Sequence, residues 1–197
     1  MSHEIVELDC AGCGAHLTTD TKECPYCQKP IIIKSVQDAV KLTPQETNKM
    51  VLNCRKALVA EPDNQVVNNN VAMCFMRLRM FDKAGQAFEK AMENNFDNGD
   101  TFFWAAVCQL QGKKAFMQTR PVIDKILEFV NAAIMIEDKG IYHYFLAYIK
   151  YDYFSRKFFR TTPDYKQEFN NAVKLGTSMN DVNLLYQVIG VERPSCL

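Results

Sequence analysis

Apolar residues recur at the spacing of amphipathic helices from residue 44 to residue 189 of this chain. The pattern predicts eight helices: 44–60, 64–79, 82–95, 100–111, 121–137, 141–160, 163–175 and 179–189. Thr43, Pro44 and Glu46 are typical of a capping box with proline in the first helical turn. Other end signals are three closing glycines and one capping serine: Gly112, Gly176, Gly190 and Ser178. The sequence therefore predicts a mainly α-helical domain over residues 44–197.

The first 33 residues follow a different pattern. Short apolar runs at 5–8 and 31–33 flank turns rich in cysteine and glycine, which predicts short β-strands. Residues 34–43 are polar and are expected to form a linker. We therefore expect three parts: a small β module over 1–33, the linker, and the helical domain.

Two cysteine pairs dominate this β module. Cys10 and Cys13 form one Cys-x-x-Cys pair, Cys24 and Cys27 form the other, and ten residues lie between the pairs. Two thiolates at this spacing can face one ion from a tight turn, and two such turns complete the tetrahedral sulfur site that structural Zn²⁺ prefers. The alternative is a redox dithiol, but such enzymes carry one Cys-x-x-Cys motif in a βαβ context. One structural zinc ion is the favoured interpretation.

The run from Cys10 to Cys27 resembles a short zinc ribbon, and the resemblance covers about residues 4–33. It differs from the commonest pattern at Gln28, where a glycine often follows the last cysteine. Zinc ribbons often contact nucleic acid, but residues 1–33 hold five Asp or Glu and two Lys, a net charge of −3. Because phosphate affinity comes mainly from Lys and Arg, the acidic module favours a protein contact.

Composition and the remaining cysteines favour a reducing compartment. The chain has 197 residues, no net charge and eight cysteines, four of which are scattered: Cys54, Cys74, Cys108 and Cys196. No signal peptide is expected, and no apolar run reaches the ~18 residues that a membrane-spanning helix needs. We therefore expect a cytoplasmic protein without membrane contact, in which Cys54, Cys74 and Cys108 are small buried apolar residues.

A period of 34 residues relates parts of the helical domain. It pairs Cys54 with Phe88, Ala57 with Ala91, and Cys74 with Cys108. Small and large residues then stand at the signature spacings of a tetratricopeptide repeat (TPR): Asn68, Val71, Ala72, Phe75, Phe81, Ala84, Phe88, Ala91 and Phe96. The segment resembles that repeat, with Asn68 replacing an aromatic residue and Phe96 a proline. The resemblance implies a TPR-like superhelix of helix-turn-helix repeats, with less regular copies before and after.

The TPR resemblance also implies a concave groove that holds a protein or peptide. By repeat position, the residues that would face it are Asn69, Met73, Met76, Arg77, Phe103, Val107 and Leu110. Met73 stands where family members that clamp a carboxylate use asparagine, so apolar or helical ligands are favoured instead. Packing of these residues against a neighbouring helix is the alternative.

Segment 142–160 is the most unusual part of the helical domain. Nine of its residues are Tyr or Phe, and residues 139–175 carry seven Lys or Arg against three Asp or Glu, a net charge of +4. Three interpretations compete: a core helix, an exposed partner surface, or a platform that stacks on single-stranded nucleic acid.

The sequence shows no phosphate loop, zinc-protease motif or nucleophile elbow, so no enzyme is expected. The leading hypothesis is a non-enzymatic adaptor, scaffold or regulatory subunit with a structural zinc ribbon and a TPR-like groove for a protein partner. The pattern is also similar to small bacterial zinc-ribbon and repeat proteins that regulate a larger system. The alternative hypothesis is a nucleic-acid-associated factor that uses the basic aromatic segment 142–160.

Overall fold

The computed structural model describes residues 7–33, 35–93 and 96–197. The chain is 62% helical and carries one small antiparallel sheet in the described part. It divides into two compact units between residues 95 and 96. The mainly α-helical class predicted from the sequence is confirmed, whereas the boundaries at residues 33 and 43 stay predictions.

In its described residues, the first unit combines the sheet with four helices. Its elements are β1 (Glu7–Asp9), β2 (His16–Thr18), α1 (Val36–Lys41), α2 (Pro44–Ala60), α3 (Gln65–Arg77) and α4 (Phe81–Met92). Strands β1 and β2 are antiparallel, with Leu8 opposite Leu17. Helix α3 packs against α1, α2 and α4. Helix α1 lies inside the segment that the sequence predicts as a linker, and its Val36 and Ala39 are buried.

Local capping explains where these helices begin. The backbone N–H of Glu46 donates to Thr43 Oγ1 over 3.3 Å, and the Thr43 N–H donates to Glu46 Oε2 over 3.0 Å. This reciprocal pair is the capping box that the sequence predicts for α2. Asn64 caps α3 by accepting from the Val67 N–H over 3.0 Å.

The TPR-type positions form the interior of the first unit. Most of their side chains are buried: Asn68, Val71, Ala72, Phe81, Ala84, Phe88 and Ala91. Asn68 donates through Nδ2 to the carbonyl oxygens of Pro62 and Asn64, at 2.9 and 3.0 Å. The amide thus satisfies backbone acceptors at the turn before α3, which a phenylalanine ring at this position could not do.

The second unit contains five helices in its described residues. They are α5 (Gly99–Cys108), α6 (Arg120–Ile136), α7 (Gly140–Ile149), α8 (Tyr165–Lys174) and α9 (Met179–Ile189). Helix α6 packs against α5 and α7, and α7 also packs against α8 and α9. A 3₁₀ turn at Ala115–Met117 precedes α6, within the long connection that the sequence predicts.

Segment 142–160 divides into a buried part and an exposed part. Helix α7 is followed by a π-helical turn, Lys150–Phe154, and a 3₁₀ turn, Ser155–Lys157. Six aromatic rings up to residue 154 are buried: Tyr142, Tyr144, Phe145, Tyr148, Tyr153 and Phe154. Phe158 takes a left-handed backbone conformation with φ of 62° and ends the helical path. The core interpretation therefore holds for residues 142–154, but the predicted single helix to residue 160 is wrong.

Candidate functional site

Two backbone turns with the same hydrogen-bond pattern hold the four N-terminal cysteines. In the first, the Cys10 N–H donates to the Ala15 carbonyl over 2.8 Å, and the Gly14 N–H donates to the Cys10 carbonyl over 2.9 Å. In the second, the Cys24 N–H donates to the Lys29 carbonyl and the Gln28 N–H to the Cys24 carbonyl, both over 2.8 Å. Each turn therefore presents its two thiols to the same side.

The two turns bring all four sulfur atoms into one cluster. The Sγ atoms of Cys10, Cys13, Cys24 and Cys27 all lie within 4.8 Å of one another. Cys10 Sγ lies 3.4 Å from Cys27 Sγ, and Cys13 Sγ lies 3.5 Å from Cys24 Sγ. A tetrahedral ion with metal–sulfur bonds of about 2.3 Å needs sulfur–sulfur edges of about 3.8 Å. The donor set therefore fits one tetrahedral thiophilic metal ion.

Gly12 makes room for this arrangement. Its N–H donates to Cys10 Sγ over 3.4 Å, and a Cβ at this position would lie 2.9 Å from Cys27 Sγ. A larger residue would thus displace a sulfur of the cluster. His16 is not part of the cluster, because its Nδ1 lies 2.6 Å from the Asp9 carboxylate.

The thiols differ in how readily they ionise. Burial works to raise the pKa of Cys24, but backbone hydrogen bonds from Tyr26 and Cys27, together with neighbouring thiols, lower it to about 7. A backbone hydrogen bond involving Lys29 favours the Cys27 thiolate, but burial and the other three thiols raise its pKa to about 12. The cluster thus resists full ionisation until a cation offsets the repulsion between thiolates.

The cysteine module packs against α2 of the same unit. Asn53 donates from α2 to the Asp9 carbonyl over 2.6 Å, and Lys56 pairs with the Asp9 carboxylate over 3.4 Å. Lys29 forms an ion pair with Glu46 in the first turn of α2. Metal binding at the cluster would therefore stabilise a surface that α2 contacts directly.

The seven predicted groove residues occupy different environments. Five side chains are buried: Met73, Met76, Phe103, Val107 and Leu110. Asn69 and Arg77 are half-buried, and Arg77 donates to the Leu42 carbonyl over 3.2 Å. Their role in partner binding stays a prediction, and the buried five could contact a partner only after rearrangement.

A basic aromatic face lies on the second unit, where two segments meet. We define it by Lys113, Lys114, Phe116, Met117, Arg156, Lys157, Phe158, Phe159 and Arg160. The Arg156 guanidinium lies 4.5 Å from the centre of the Phe116 ring, and the Lys157 ammonium lies 5.0 Å from it. Phe158 is 95% exposed and Phe159 is 55% exposed. Segments 113–117 and 156–160 contain five Lys or Arg and no Asp or Glu.

A chain of polar contacts, buried at Glu168 and Lys150, joins α8 to α7, and the sequence did not reveal it. Glu168 on α8 accepts from Lys150 Nζ over 2.6 Å and contacts His143 Nδ1 over 2.8 Å. His143 Nε2 lies 2.9 Å from the Asp138 carboxylate. These partners are up to 25 residues apart, so no local motif could signal them. A carboxylate contacts each ring nitrogen of His143. The contacts of Glu168 with His143 and Lys150 hold α8 against α7 and the turn that follows it.

The scattered cysteines of the helices behave as buried apolar residues, as the sequence predicts. Cys54, Cys74 and Cys108 are at most 1% exposed. Burial raises the pKa of Cys54 to about 12, and it raises the pKa of Cys74 and Cys108 further. Because the thiolate is the reactive form, burial and the raised pKa both disfavour reaction of these thiols at neutral pH.

Comparison with known proteins bears on the fold alone. No family model matches the chain, and no curated protein matches it. The solved structure of MamA MSR-1 C2, a TPR-like helical protein, superposes with a TM-score of 0.50 at 17% identity. The match covers 72% of this chain and 76% of that one. No described helix has the length and hydrophobicity to cross a membrane. The chain therefore has a TPR-like helical fold together with a four-cysteine cluster able to hold a metal ion.

Proposed function

We propose that this protein is a non-enzymatic scaffold or regulatory subunit that binds a protein partner and carries one structural Zn²⁺. The observation that carries the proposal is the TPR-like helical architecture, since stacked helix pairs serve mostly as protein-binding surfaces. The paired cysteines are typical of a metal site in a reducing, cytoplasmic compartment, which we propose for this protein.

Zinc is the metal that best fits the four-thiolate cluster. Four sulfur ligands leave no open coordination position, which is typical of structural rather than catalytic zinc. Elemental analysis of protein purified without added metal should give one zinc per chain, and the double variant Cys24→Ser/Cys27→Ser should lose it. Stoichiometric iron, or a Cys10–Cys13 disulfide with no metal, would contradict this assignment.

The partner surface that we propose is the basic aromatic face. Exposed Phe158 and Phe159 beside Arg156 and Arg160 supply the residue types that dominate protein interfaces. The buried groove residues offer a partner less accessible surface, because their side chains already pack within the protein. Arg156 pairs with Asp152, and the other four Lys or Arg residues of the face favour a partner segment that is acidic and carries apolar side chains.

Affinity capture with matched variants tests this surface. Phe158→Ser/Phe159→Ser changes two exposed rings of the face, and Met135→Ser/Met179→Ser changes two exposed apolar side chains outside it. We expect wild type and the methionine variant to retain the same partner and the phenylalanine variant to lose it, with all three equally folded by circular dichroism. Equal retention by all three would overturn the assignment of the surface.

A second candidate function follows from the same face. Exposed phenylalanines interleaved with cations are also suited to stacking on single-stranded nucleic acid. Binding of single-stranded DNA or RNA would then weaken steeply with salt and be abolished by Lys157→Glu/Arg160→Glu. Absence of salt-sensitive binding, with partner capture intact, would leave the scaffold as the function.

A further inference from the structure

An open cleft of about 550 Å³ lies within the second unit, next to the basic aromatic face. A second cavity of about 390 Å³ adjoins it and shares Lys150, Phe159 and Arg160 with it. Both values lie in the range of small-molecule sites. Helices α6 and α7 and the segment before α8 supply the walls, so the cleft is held by packed elements on several sides.

The polar wall of the cleft carries an excess of positive charge. Arg120, Lys150 and Arg160 line it, against the single carboxylate of Glu168. Thr161 and Thr162 add two hydroxyl groups. Lys150 pairs with Glu168 and Arg120 with Asp124, so Arg160 is the lining cation that has no carboxylate partner among the described residues.

These cations differ in how far they are already engaged. Lys150 is buried and donates to Glu168 Oε1 over 2.6 Å and to the Pro163 carbonyl over 2.9 Å. An ammonium group has three N–H donors, so one remains for the cleft. Arg160 makes no hydrogen bond or ion pair with another described residue. The cleft thus combines a fixed buried cation with an adaptable exposed one.

Another part of the cleft wall is apolar. Leu127, Leu146, Phe154 and Phe159 line it, and the half-exposed Phe159 ring stands beside Arg160. A purely inorganic anion would leave this wall in water, whereas an apolar or aromatic body would cover it.

We infer that this cleft is a binding site for a small amphipathic anion, in which a phosphate or carboxylate group is joined to an apolar or aromatic body. The anionic group lies between Lys150 and Arg160 and accepts hydrogen bonds from the threonine hydroxyls. The body packs against Leu146 and Phe159. This site is independent of the metal cluster, but it shares Phe159 and Arg160 with the proposed partner face.

Isothermal titration calorimetry with phenyl phosphate tests the site. A probe of this size should bind one per chain with a Kd on the order of 1 mM. Inorganic phosphate, which lacks the aromatic ring, and benzyl alcohol, which lacks the negative charge, should each bind at least about tenfold more weakly than phenyl phosphate. Benzoate distinguishes the two head groups: tighter phenyl phosphate indicates a phosphate ligand, and tighter benzoate a carboxylate ligand. No saturable binding of either aromatic anion would overturn the inference.

Variants distinguish binding of the probe in the cleft from binding to the positive charge of the basic aromatic face. Arg160→Gln should weaken phenyl phosphate binding about tenfold, because a charge-assisted hydrogen bond is lost. Phe159→Ala should weaken phenyl phosphate but leave inorganic phosphate unchanged. Lys157→Gln removes a cation of the face that does not line the cleft, and it should bind like wild type. Equal weakening by Lys157→Gln and Arg160→Gln would show binding to the face alone and contradict the site.

Discussion

At the scale of single residues, Gly14 and Gln28 occupy equivalent places in the two cysteine turns. Each follows the second cysteine of its pair and takes a left-handed backbone conformation, with φ of 77° at Gly14 and 59° at Gln28. Glycine adopts this conformation without steric cost, whereas a residue with a Cβ is strained by about 1–2 kcal/mol. The second turn therefore carries strain that the first does not.

Exchanging the residue types at these two positions should change stability in opposite directions. Gln28→Gly relieves the backbone strain of the folded state. Because glycine also raises the entropy of the unfolded chain, part of this gain is offset, and we expect a net stabilisation of about 0.5 kcal/mol. Gly14→Ala should destabilise by about 1 kcal/mol through backbone strain, since no atom lies within 4 Å of the added methyl group. Urea unfolding of the zinc-loaded protein measures both. A destabilised Gln28→Gly variant would contradict the argument.

At the scale of elements, the Lys150–Glu168 pair fixes α8 to the π-helical turn after α7. Both side chains are at most 10% exposed, so neither charge is solvated by bulk water. Removing one partner of such a pair leaves an uncompensated buried charge, which costs more than the pair itself contributes.

A double-mutant cycle should show this asymmetry. Glu168→Leu leaves the buried Lys150 ammonium without a carboxylate partner and is expected to destabilise the protein by about 3 kcal/mol. Lys150→Met in the same background should recover part of that loss, because the stranded ammonium is removed. Thermal unfolding of the single and double variants measures the coupling. Additive losses would show that the two groups do not act as a pair.

The tyrosines of α7 predict a loss of stability in alkali. Burial is the largest cause that raises the pKa of Tyr142 and Tyr148, with nearby Asp100 and Asp152 adding to it. A raised folded-state pKa means that the stability is present below about pH 10, the unfolded value, and declines as pH rises above it. Each tyrosine should contribute a slope of about 1.4 kcal/mol per pH unit. Chemical unfolding at several pH values above 10 should show a shallower slope for Tyr148→Phe than for wild type.

Local signals account for the elements that the sequence predicted well. The capping box at Thr43 and the serine cap at Ser178 act within four residues, and both helices begin where the sequence indicates. The change from an α-helical to a π-helical path after Ile149 is not visible in the sequence, because aromatic residues continue through Lys150–Phe154. The Lys150–Glu168 contact at this turn joins residues 18 positions apart. Such contacts between distant residues leave no local pattern in a single sequence.

The candidate sites also differ in whether local sequence spacing predicts them. The four cysteines could be assigned from spacing alone, because two tight turns dictate where the thiols point. Residues Met73 and Phe103 could be placed on an apolar helix face, but spacing does not say whether another element covers that face. The cleft at Lys150 was hidden, since its walls come from three separate stretches of chain.

At the scale of the whole molecule, metal removal should affect the two units differently. The cysteine cluster lies in the first unit and contacts α2, whereas Trp104, the only tryptophan, lies in the second. A domain as short as the cysteine module gains most of its folding free energy from the metal. Chelation should therefore increase amide hydrogen exchange across residues 7–33 and in α2.

Trp104 provides the internal control for this experiment. Its side chain is buried in the core of the second unit, so its fluorescence reports the unfolding of that unit. We expect the thermal transition followed by Trp104 to stay unchanged on chelation, while amides of α2 lose protection. Adding Zn²⁺ back should restore the protection, and Cys24→Ser/Cys27→Ser should reproduce the chelated state without chelator. If the Trp104 transition moved together with the α2 amides, the metal would stabilise one cooperative molecule rather than its first unit.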